Sequence, residues 1–115
     1  MTNEQLQERC LEFAGFECYN AKLDIWLKPD GERTTPHLLD YPDFINSVDA
    51  HVKWTVPQIA KVASYFEVYY DLEQEPNHYT CVIHLDKGSD RYAHEVTPAL
   101  AICEAIWELT EKGND

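Results

Sequence analysis

The chain has 115 residues, of which 44% are hydrophobic and 26% are charged. These are the proportions of a globular protein, and the length favours one domain, residues 1–115, around a single core. Twenty-one acidic residues outweigh nine basic ones and give a formal charge of −12 at pH 7. That balance excludes direct, phosphate-based binding of nucleic acid, which needs a basic surface.

The chain contains no apolar run long enough for a transmembrane helix, and its first eight residues are too polar for a signal peptide. We therefore expect a cytoplasmic protein that does not bind a membrane. The spacing of the four cysteines matches no common zinc framework, so we expect reduced thiols in the core, with a Cys10–Cys18 disulfide as the alternative. These cysteines are Cys10, Cys18, Cys81 and Cys103.

The first predicted element is a helix capped by Thr2 or Asn3, which runs to about Ala14 and ends at Gly15. Alternating apolar residues then predict a strand at 22–28. The sequence Pro29-Asp30-Gly31 predicts the turn that follows, because proline presets its own φ and glycine permits a positive one. Residues 32–39 are predicted to form a loop.

A second helix is predicted to begin at Asp40, with Pro42 in its first turn. Pro57 is expected to end this helix and to open a short further helix over 58–64. The apolar stripe of the second helix is predicted to be Phe44, Ile45, Val48 and Val52.

Three strands at 66–72, 79–85 and 92–96 are predicted to form a meander, because the loops between them are too short for parallel crossovers. In the first of these strands, Glu67, Tyr69 and Asp71 are predicted to share the face opposite the apolar residues. Thr97 and Pro98 are typical of a helix start, and this last helix should run to about Lys112. Its apolar surface is wide, so it should pack on the sheet. The order of elements predicts an α+β fold. We expect an α/β/α sandwich with a mainly antiparallel sheet, made of the three-stranded meander plus one N-terminal strand and covered by helices.

Several segments together resemble the phage ABA sandwich domain family, which comprises small proteins of bacteriophages and prophages. The residues that carry the resemblance are Trp26 with Pro29-Asp30-Gly31, Pro36, Tyr41, the strand pair around 69–72 and 79–83, and the stretch Thr97-Pro98-Ala99-Leu100-Ala101-Ile102-Cys103-Glu104-Ala105. The last stretch is similar to the apolar terminal helix of the family, although the family often has a basic residue in place of Glu104. The resemblance implies an α/β/α layered fold and a phage origin, and it implies no catalytic residues.

The acidic residues are concentrated between residues 65 and 90, where Lys87 is the sole basic residue. A hairpin with spaced carboxylates can imitate a row of phosphates and steer docking to a basic surface. We therefore expect a non-enzymatic inhibitor of a host nucleic-acid-handling defence protein, similar to an anti-CRISPR protein. The predicted binding residues are Glu67, Tyr69, Asp71, Glu73, Glu75, Asp86 and Asp90.

Aromatic residues have two interpretations, as core residues or as interface residues. Tyr70, Tyr79, Trp26 and Trp107 are predicted to lie in the core. Five others are less clearly buried by their pattern and are candidates for an interface: Tyr41, Trp54, Tyr65, Tyr69 and Tyr92.

Two other classes of function remain open at this point. One is a homo-oligomer that sequesters a small ligand or nucleotide, although Arg9, Arg33 and Arg91 are the only arginines available to bind it. The other is a metal-dependent enzyme that uses His84, Asp86 and His94. The histidine spacing does not match a metal motif, so we predict no metal, no cofactor and no catalytic residue, and we expect exposed or capping histidines. Helix, meander and helix is also the layout of double-stranded RNA-binding domains, but the last helix here begins without the lysines that contact phosphates. The five histidines are His37, His51, His78, His84 and His94.

Overall fold

The computed structural model describes residues 1–73 and 78–112, and its first element is helix α1 at Asn3–Phe13. A capping box starts this helix. The Gln5 backbone N–H donates to the Thr2 hydroxyl at 3.1 Å, and the Thr2 N–H donates to the Gln5 side chain at 2.7 Å. Gly15 follows the helix with a φ of 97°, a conformation that glycine adopts without strain. The predicted start and end of this helix are confirmed.

The N-terminal half contains a small antiparallel sheet that the sequence analysis predicted only in part. The predicted strand at 22–28 is shorter than expected, and it has a partner on each side, because the pairing of short strands is decided by contacts that local alternation does not encode. The turn after it is confirmed, with the Gly31 N–H donating to the Lys28 carbonyl at 2.8 Å. The three strands are β1 at Glu17–Asn20, β2 at Ile25–Leu27 and β3 at Arg33–Thr34.

The predicted second helix differs most from the structure. Helical backbone begins at α2, Val48–Ala50, where the Ser47 hydroxyl accepts the Ala50 N–H at 3.1 Å. A π turn at His51–Thr55 and helix α3 at Val56–Ile59 follow. The wide turn ends two residues before Pro57, whose ring would clash with a carbonyl in the preceding turn of a regular helix.

Asp40 caps no helix in this region, because its carboxylate has stronger partners elsewhere. It lies 2.8 Å from the Lys28 ammonium and accepts the Thr34 hydroxyl at 2.6 Å. The predicted apolar stripe is also wrong at Val48 and Val52, whose side chains are exposed. Within residues 48–59, the buried side chains are those of His51, Thr55 and Ile59, which are spaced by four.

The meander is confirmed as an antiparallel sheet with strand order β4-β5-β6. The strands span Ala63–Tyr70, Tyr79–Leu85 and Arg91–Glu95. Phe66 and Val68 pack against the core together with Cys81, Ile83 and Ala93, as alternation predicts. Tyr70 was predicted to be buried and is exposed, because it lies at the end of β4 and its ring stacks on His78 at the hairpin.

Helix α4, Pro98–Lys112, covers one face of this sheet, and α1 packs on α4. Its predicted start is confirmed, since the Leu100 N–H donates to the Thr97 hydroxyl at 3.2 Å. Alanines and apolar residues of α4 form much of the core, whereas Gly113 lies outside the described residues. Among the described residues, no helix has the length and the apolar character needed to cross a membrane.

The fold is α+β and its strands pair antiparallel, as predicted. Its layering differs from the expected α/β/α sandwich in two respects. The N-terminal strands form a separate sheet instead of extending the meander. Helices cover one face of the meander, and its other face carries exposed side chains.

Candidate functional site

The exposed face of the meander carries the outward-pointing residues of β4, β5 and β6. Cross-strand pairing aligns Tyr69 with Thr80, and Thr80 in turn with His94. Two residues further along each strand, Glu67 aligns with Val82, and Val82 aligns with Tyr92. We call this surface the tyrosine face and define it as Tyr65, Glu67, Tyr69, Thr80, Val82, His84, Tyr92 and His94, with Asp90 at one end.

Three tyrosines dominate the exposed area of this face. Tyr65, Tyr69 and Tyr92, which stand on β4 and β6, are 51%, 42% and 55% exposed. Between them, Thr80 and Val82 of the central strand are only 1% and 8% exposed. The flanking side chains therefore cover the middle of the face, and the tyrosine rings project around it.

At one end of the face, Asp90 accepts two hydrogen bonds. The Tyr92 hydroxyl donates to Asp90 Oδ2 at 3.0 Å, and His84 Nδ1 forms a close pair with Asp90 Oδ1. The bond to Asp90, with the negative charge of that carboxylate, raises the pKa of Tyr92. The tyrosine thus remains a neutral donor at physiological pH, and the Asp90 carboxylate stays fixed in position.

The other outward pairs are also hydrogen-bonded. A bond from the Tyr65 hydroxyl to the Glu67 carboxylate raises the pKa of Tyr65. Thr80 Oγ1 and His94 Nδ1 lie 2.8 Å apart. These bonds hold the rings and the carboxylates in fixed relative positions.

The outward positions of the three strands include no lysine and no arginine. Tyrosine rings attract cations through their π-electron faces, and a carboxylate beside the ring adds a charged acceptor. An arginine side chain fits both groups at once, because its guanidinium can stack on a ring and bond a carboxylate. The tyrosine face therefore has the chemistry to bind a cationic protein surface.

The structure divides the predicted binding residues among different places. Glu67, Tyr69 and Asp90 belong to the tyrosine face. Asp71 and Glu73 lie where β4 ends, and the Glu73 N–H donates to the Asp71 carboxylate at 2.9 Å. Asp86 is exposed after the other end of β5, and Glu75 lies outside the described residues.

This division corrects the idea of one continuous row of carboxylates. Asp71 is bonded through its backbone to His78, just before β5 begins, whereas Asp86 follows the end of that strand. At about 3.4 Å per residue, the two carboxylates are roughly 25 Å apart along the sheet. Acidic residues therefore stand at both ends of the sheet, and Glu67 lies among the tyrosines between them, an arrangement that charge counting along the sequence did not reveal.

Of the five candidate interface aromatics, Tyr65, Tyr69 and Tyr92 stand together on one surface. The other two are partly buried against the core: Trp54 packs edge-on against Phe16 with ring centroids 4.9 Å apart, and Tyr41 lies beside the core cluster. Alternation of β4 and β6 was the signal that could have separated the two groups, once the register between the strands was known.

A metal site formed by His84, Asp86 and His94 is inconsistent with the register. His94 pairs with Thr80, four residues before His84 on β5, which places the two imidazoles about 13 Å apart. Each ring is also bonded elsewhere, to Asp90 or to Thr80. Within residues 1–73 and 78–112, no group of three histidine, cysteine or acidic side chains is placed to hold a metal ion.

His51 was expected to be exposed and is completely buried, because both of its ring nitrogens find partners in the core. Nδ1 lies 2.7 Å from Thr55 Oγ1, and Nε2 lies 2.8 Å from the Phe44 carbonyl oxygen. Cys103 Sγ lies 3.4 Å from the same Nε2, a pairing that resembles a nucleophilic dyad. A hydrogen bond with Cys10 and burial raise the pKa of Cys103 far above its usual range, so the thiol remains protonated.

All four cysteines are free, and Cys10, Cys81 and Cys103 are buried as predicted, whereas Cys18 is exposed. Burial raises the pKa of Cys81 to about 12. The alternative disulfide between Cys10 and Cys18 is absent from the structure. The buried thiols therefore act as small apolar side chains that fill space between α1, α4 and the sheet.

The arginines needed by a nucleotide-binding site already have partners within the chain. The Arg9 guanidinium stacks on Trp107 at 4.1 Å and pairs with Glu111 at 2.7 Å, and Arg33 stacks on Tyr19 at 4.4 Å. Arg91 donates to the Ser89 carbonyl at 2.8 Å. Among the described residues, no contact of these arginines favours a nucleotide over a protein as a binding partner.

Comparison with known proteins supports the fold. A crystal structure of a phage protein from Bacillus cereus ATCC 14579 is similar, with a TM-score of 0.66 and 14% sequence identity. The alignment covers 96% of this chain and 89% of that one. No family model matches the chain, so membership of the phage ABA sandwich domain family stays a prediction, and no curated protein matches it.

Proposed function

We propose that this protein is a non-catalytic phage protein that inhibits a host nucleic-acid-handling defence protein by docking on its basic surface. The docking surface is the tyrosine face. Bound there, the protein blocks the site at which its partner holds nucleic acid, similar to an anti-CRISPR protein. The protein itself binds no nucleic acid and uses no metal or cofactor.

The observation that carries this proposal is the composition of the tyrosine face. Exposed tyrosines are the residues most often found at the energetic centre of protein interfaces, together with tryptophan and arginine. Here three of them share a surface that has no lysine or arginine and holds the carboxylates of Glu67 and Asp90. Arginines that bind phosphates in the partner would find rings to stack on and carboxylates to bond.

The remaining acidic residues act at longer range. Asp71 and Glu73 lie at one end of the sheet and Asp86 at the other, and the molecule as a whole carries a charge of −12. Such a field attracts a basic partner and raises the association rate, and salt screens it over about 10 Å. The phage origin is supported by the likeness in fold to the Bacillus cereus phage protein.

The test compares the wild-type protein with a variant in which Tyr65, Tyr69 and Tyr92 are all changed to serine. Both are immobilised and used to capture proteins from lysate of a phage-susceptible bacterium, and the captured partner is then purified and titrated. We expect the affinity to fall roughly tenfold or more per tyrosine removed, because tyrosines at the energetic centre of an interface contribute about 2 kcal/mol or more each, and about 1.4 kcal/mol corresponds to tenfold. The wild-type association rate should fall as salt is added.

The matched control removes the same kind of exposed apolar area elsewhere. Leu23, Leu38 and Leu39 are all more than half exposed and lie in the N-terminal half of the chain, outside the meander strands. Changing these three leucines to serine should leave capture intact. Equal loss of capture by the tyrosine variant and the leucine variant would contradict the proposal. A captured partner that still binds its nucleic acid in the presence of this protein would contradict it as well.

A further inference from the structure

The outer edge of β4 is a long strand edge that no described strand covers. β4 has eight residues and lies at the end of the sheet order β4-β5-β6. No described backbone hydrogen bond joins it to any segment other than β5 and the turns at its ends. Proteins usually protect such an edge with proline, lysine or a short strand, but β4 reads ASYFEVYY and has none of these.

The pairing with β5 determines which backbone groups point to the free edge. The Asp71 N–H bonds to the His78 carbonyl, so positions 71, 69, 67 and 65 are the hydrogen-bonded positions toward β5. Hydrogen-bonded positions alternate in an antiparallel pair. The N–H and C=O groups of Phe66, Val68 and Tyr70 therefore point away from β5, toward open space.

We propose that two copies of this chain associate through their β4 edges, antiparallel about Val68, and form one continuous six-stranded sheet. In this register Val68 faces Val68 of the second copy, and Phe66 faces Tyr70. Both pairs use the outward backbone groups and supply about six N–H···O=C bonds across the two-fold axis. The residues that pair across the axis, Phe66, Val68 and Tyr70, come after the irregular pairing between Ala63 and Tyr65, where the edge of the strand is distorted.

Charge and side-chain chemistry select this register over its neighbours. A two-fold axis at Glu67 would set two carboxylates opposite each other, which destabilises a cross-strand pair. With the axis at Val68, Glu67 faces Tyr69 and Tyr65 faces Asp71, so each carboxylate meets a tyrosine hydroxyl. The same register covers Tyr70, which is 52% exposed in the single chain.

The dimer would not block the tyrosine face, because edge pairing leaves both faces of a sheet free. It would place two tyrosine faces side by side on one side of the six-stranded sheet. This inference stands apart from the proposed docking function, and the two respond to salt in opposite ways. Two chains of charge −12 repel each other, so dimerisation should strengthen with added salt, whereas docking on a basic partner should weaken.

The test measures the mass of the purified protein in solution from micromolar to millimolar concentration, by light scattering and by sedimentation. We expect a monomer–dimer equilibrium in the wild type. Tyr69→Glu places one carboxylate opposite Glu67 of the other copy, twice per dimer, and should raise the dissociation constant at least about tenfold. Tyr92→Glu is the matched control, because Tyr92 has similar exposure on the same face but stands on β6, and it should have little effect.

The double variant Glu67→Lys with Tyr69→Glu restores opposite charges across the axis and should restore the dimer. Amide hydrogen exchange provides a second measurement, since the N–H groups of Phe66, Val68 and Tyr70 should be protected in the dimer and exchange faster in Tyr69→Glu. A wild type that stays monomeric at every concentration would overturn the proposal. A dimer weakened equally by Tyr92→Glu, or not restored by the double variant, would overturn it as well.

Discussion

At the scale of single residues, polar groups enter the interior of this protein where each of their atoms has a partner. His51 is the clearest example, since its two ring nitrogens bond to Thr55 and to the Phe44 carbonyl. An unpaired imidazole in the same place would carry a desolvation penalty of about 1–3 kcal/mol. The sequence contains no local sign of this arrangement, because Phe44 and His51 meet only after the chain has turned between them.

Glu104 on α4 is a half-buried carboxyl that meets other carboxyls. Burial and a hydrogen bond with Glu95 raise the pKa of Glu104 to about 7, and the charge of Glu108 adds to the shift. Because the pKa is higher in the folded chain than its ordinary value of 4.5, the folded state holds the proton more tightly than the unfolded state. The resulting stability is present below about pH 4.5 and is lost as the pH rises through 7.

We therefore predict that Glu104→Gln flattens the dependence of stability on pH. The wild-type melting temperature should fall between pH 5 and pH 8 more than that of the variant, and the variant should be the more stable protein at pH 8. Glu12→Gln, at an exposed position on α1, is the control and should follow the wild type. Parallel curves for wild type and Glu104→Gln would show that the Glu104 carboxyl does not titrate in this range.

At the scale of elements, α4 is the helix whose sequence and structure agree most closely. Its cap, its proline at the first position and its wide apolar surface were all readable from local spacing. Buried alanines let the helix lie close to the sheet, and Ala101 and Ala105 are completely buried. The stretch from Val48 to Ile59 disagrees most, since a π turn rotates His51 and Thr55 into the core and leaves Val52 outside.

The close approach of α4 leads to a prediction about packing. Ala105→Leu adds three carbon atoms where there is no free space, and it should lower the free energy of unfolding by about 1–3 kcal/mol. Ala21→Leu makes the same change at an exposed position and should alter stability by less than about 0.5 kcal/mol. Urea denaturation of the two variants and the wild type measures both values. Equal midpoints for Ala105→Leu and wild type would indicate a looser contact between helix and sheet.

At the scale of the whole molecule, the net negative charge affects the stability of the folded chain and its association with other molecules. Few of the acidic residues are paired with cations in the described structure, where the ion pairs involve Arg9, Lys28 and His84. With a net charge of −12, like charges on the folded chain repel one another. The same charge favours basic partners and opposes association of two copies.

This self-repulsion predicts that salt stabilises the isolated protein. The melting temperature should rise between about 10 mM and 200 mM NaCl, because the Debye length shortens from roughly 30 Å to less than 10 Å over that range. KCl should have the same effect, since screening does not depend on the identity of a monovalent ion. The check is a melting series at constant protein concentration below the dimer range. A melting temperature that falls with either salt would show that attractive ion pairs dominate.

The sequence by itself determined the features that depend on neighbours along the chain. These are the capping box of α1, the turn at Gly31, the alternation of the meander strands and the whole of α4. Each arises from hydrogen bonds or side-chain spacing within a few residues, which any reader of the sequence can count. The acidic character of residues 65–90 was equally visible, although its arrangement in space was not.

Only the tertiary structure decided which surfaces meet and which remain open. The separate N-terminal sheet and the grouping of three tyrosines on one face depend on the pairing and register of distant strands. The burial of His51 depends on the π turn and on the approach of Phe44. A shift in register moves all the side chains of a strand together. A local sequence pattern therefore indicates which residues share a face, but not which part of the chain covers that face. The placement of α4 on one side of the meander left the other side to the tyrosines, and that choice is made by packing across the whole chain.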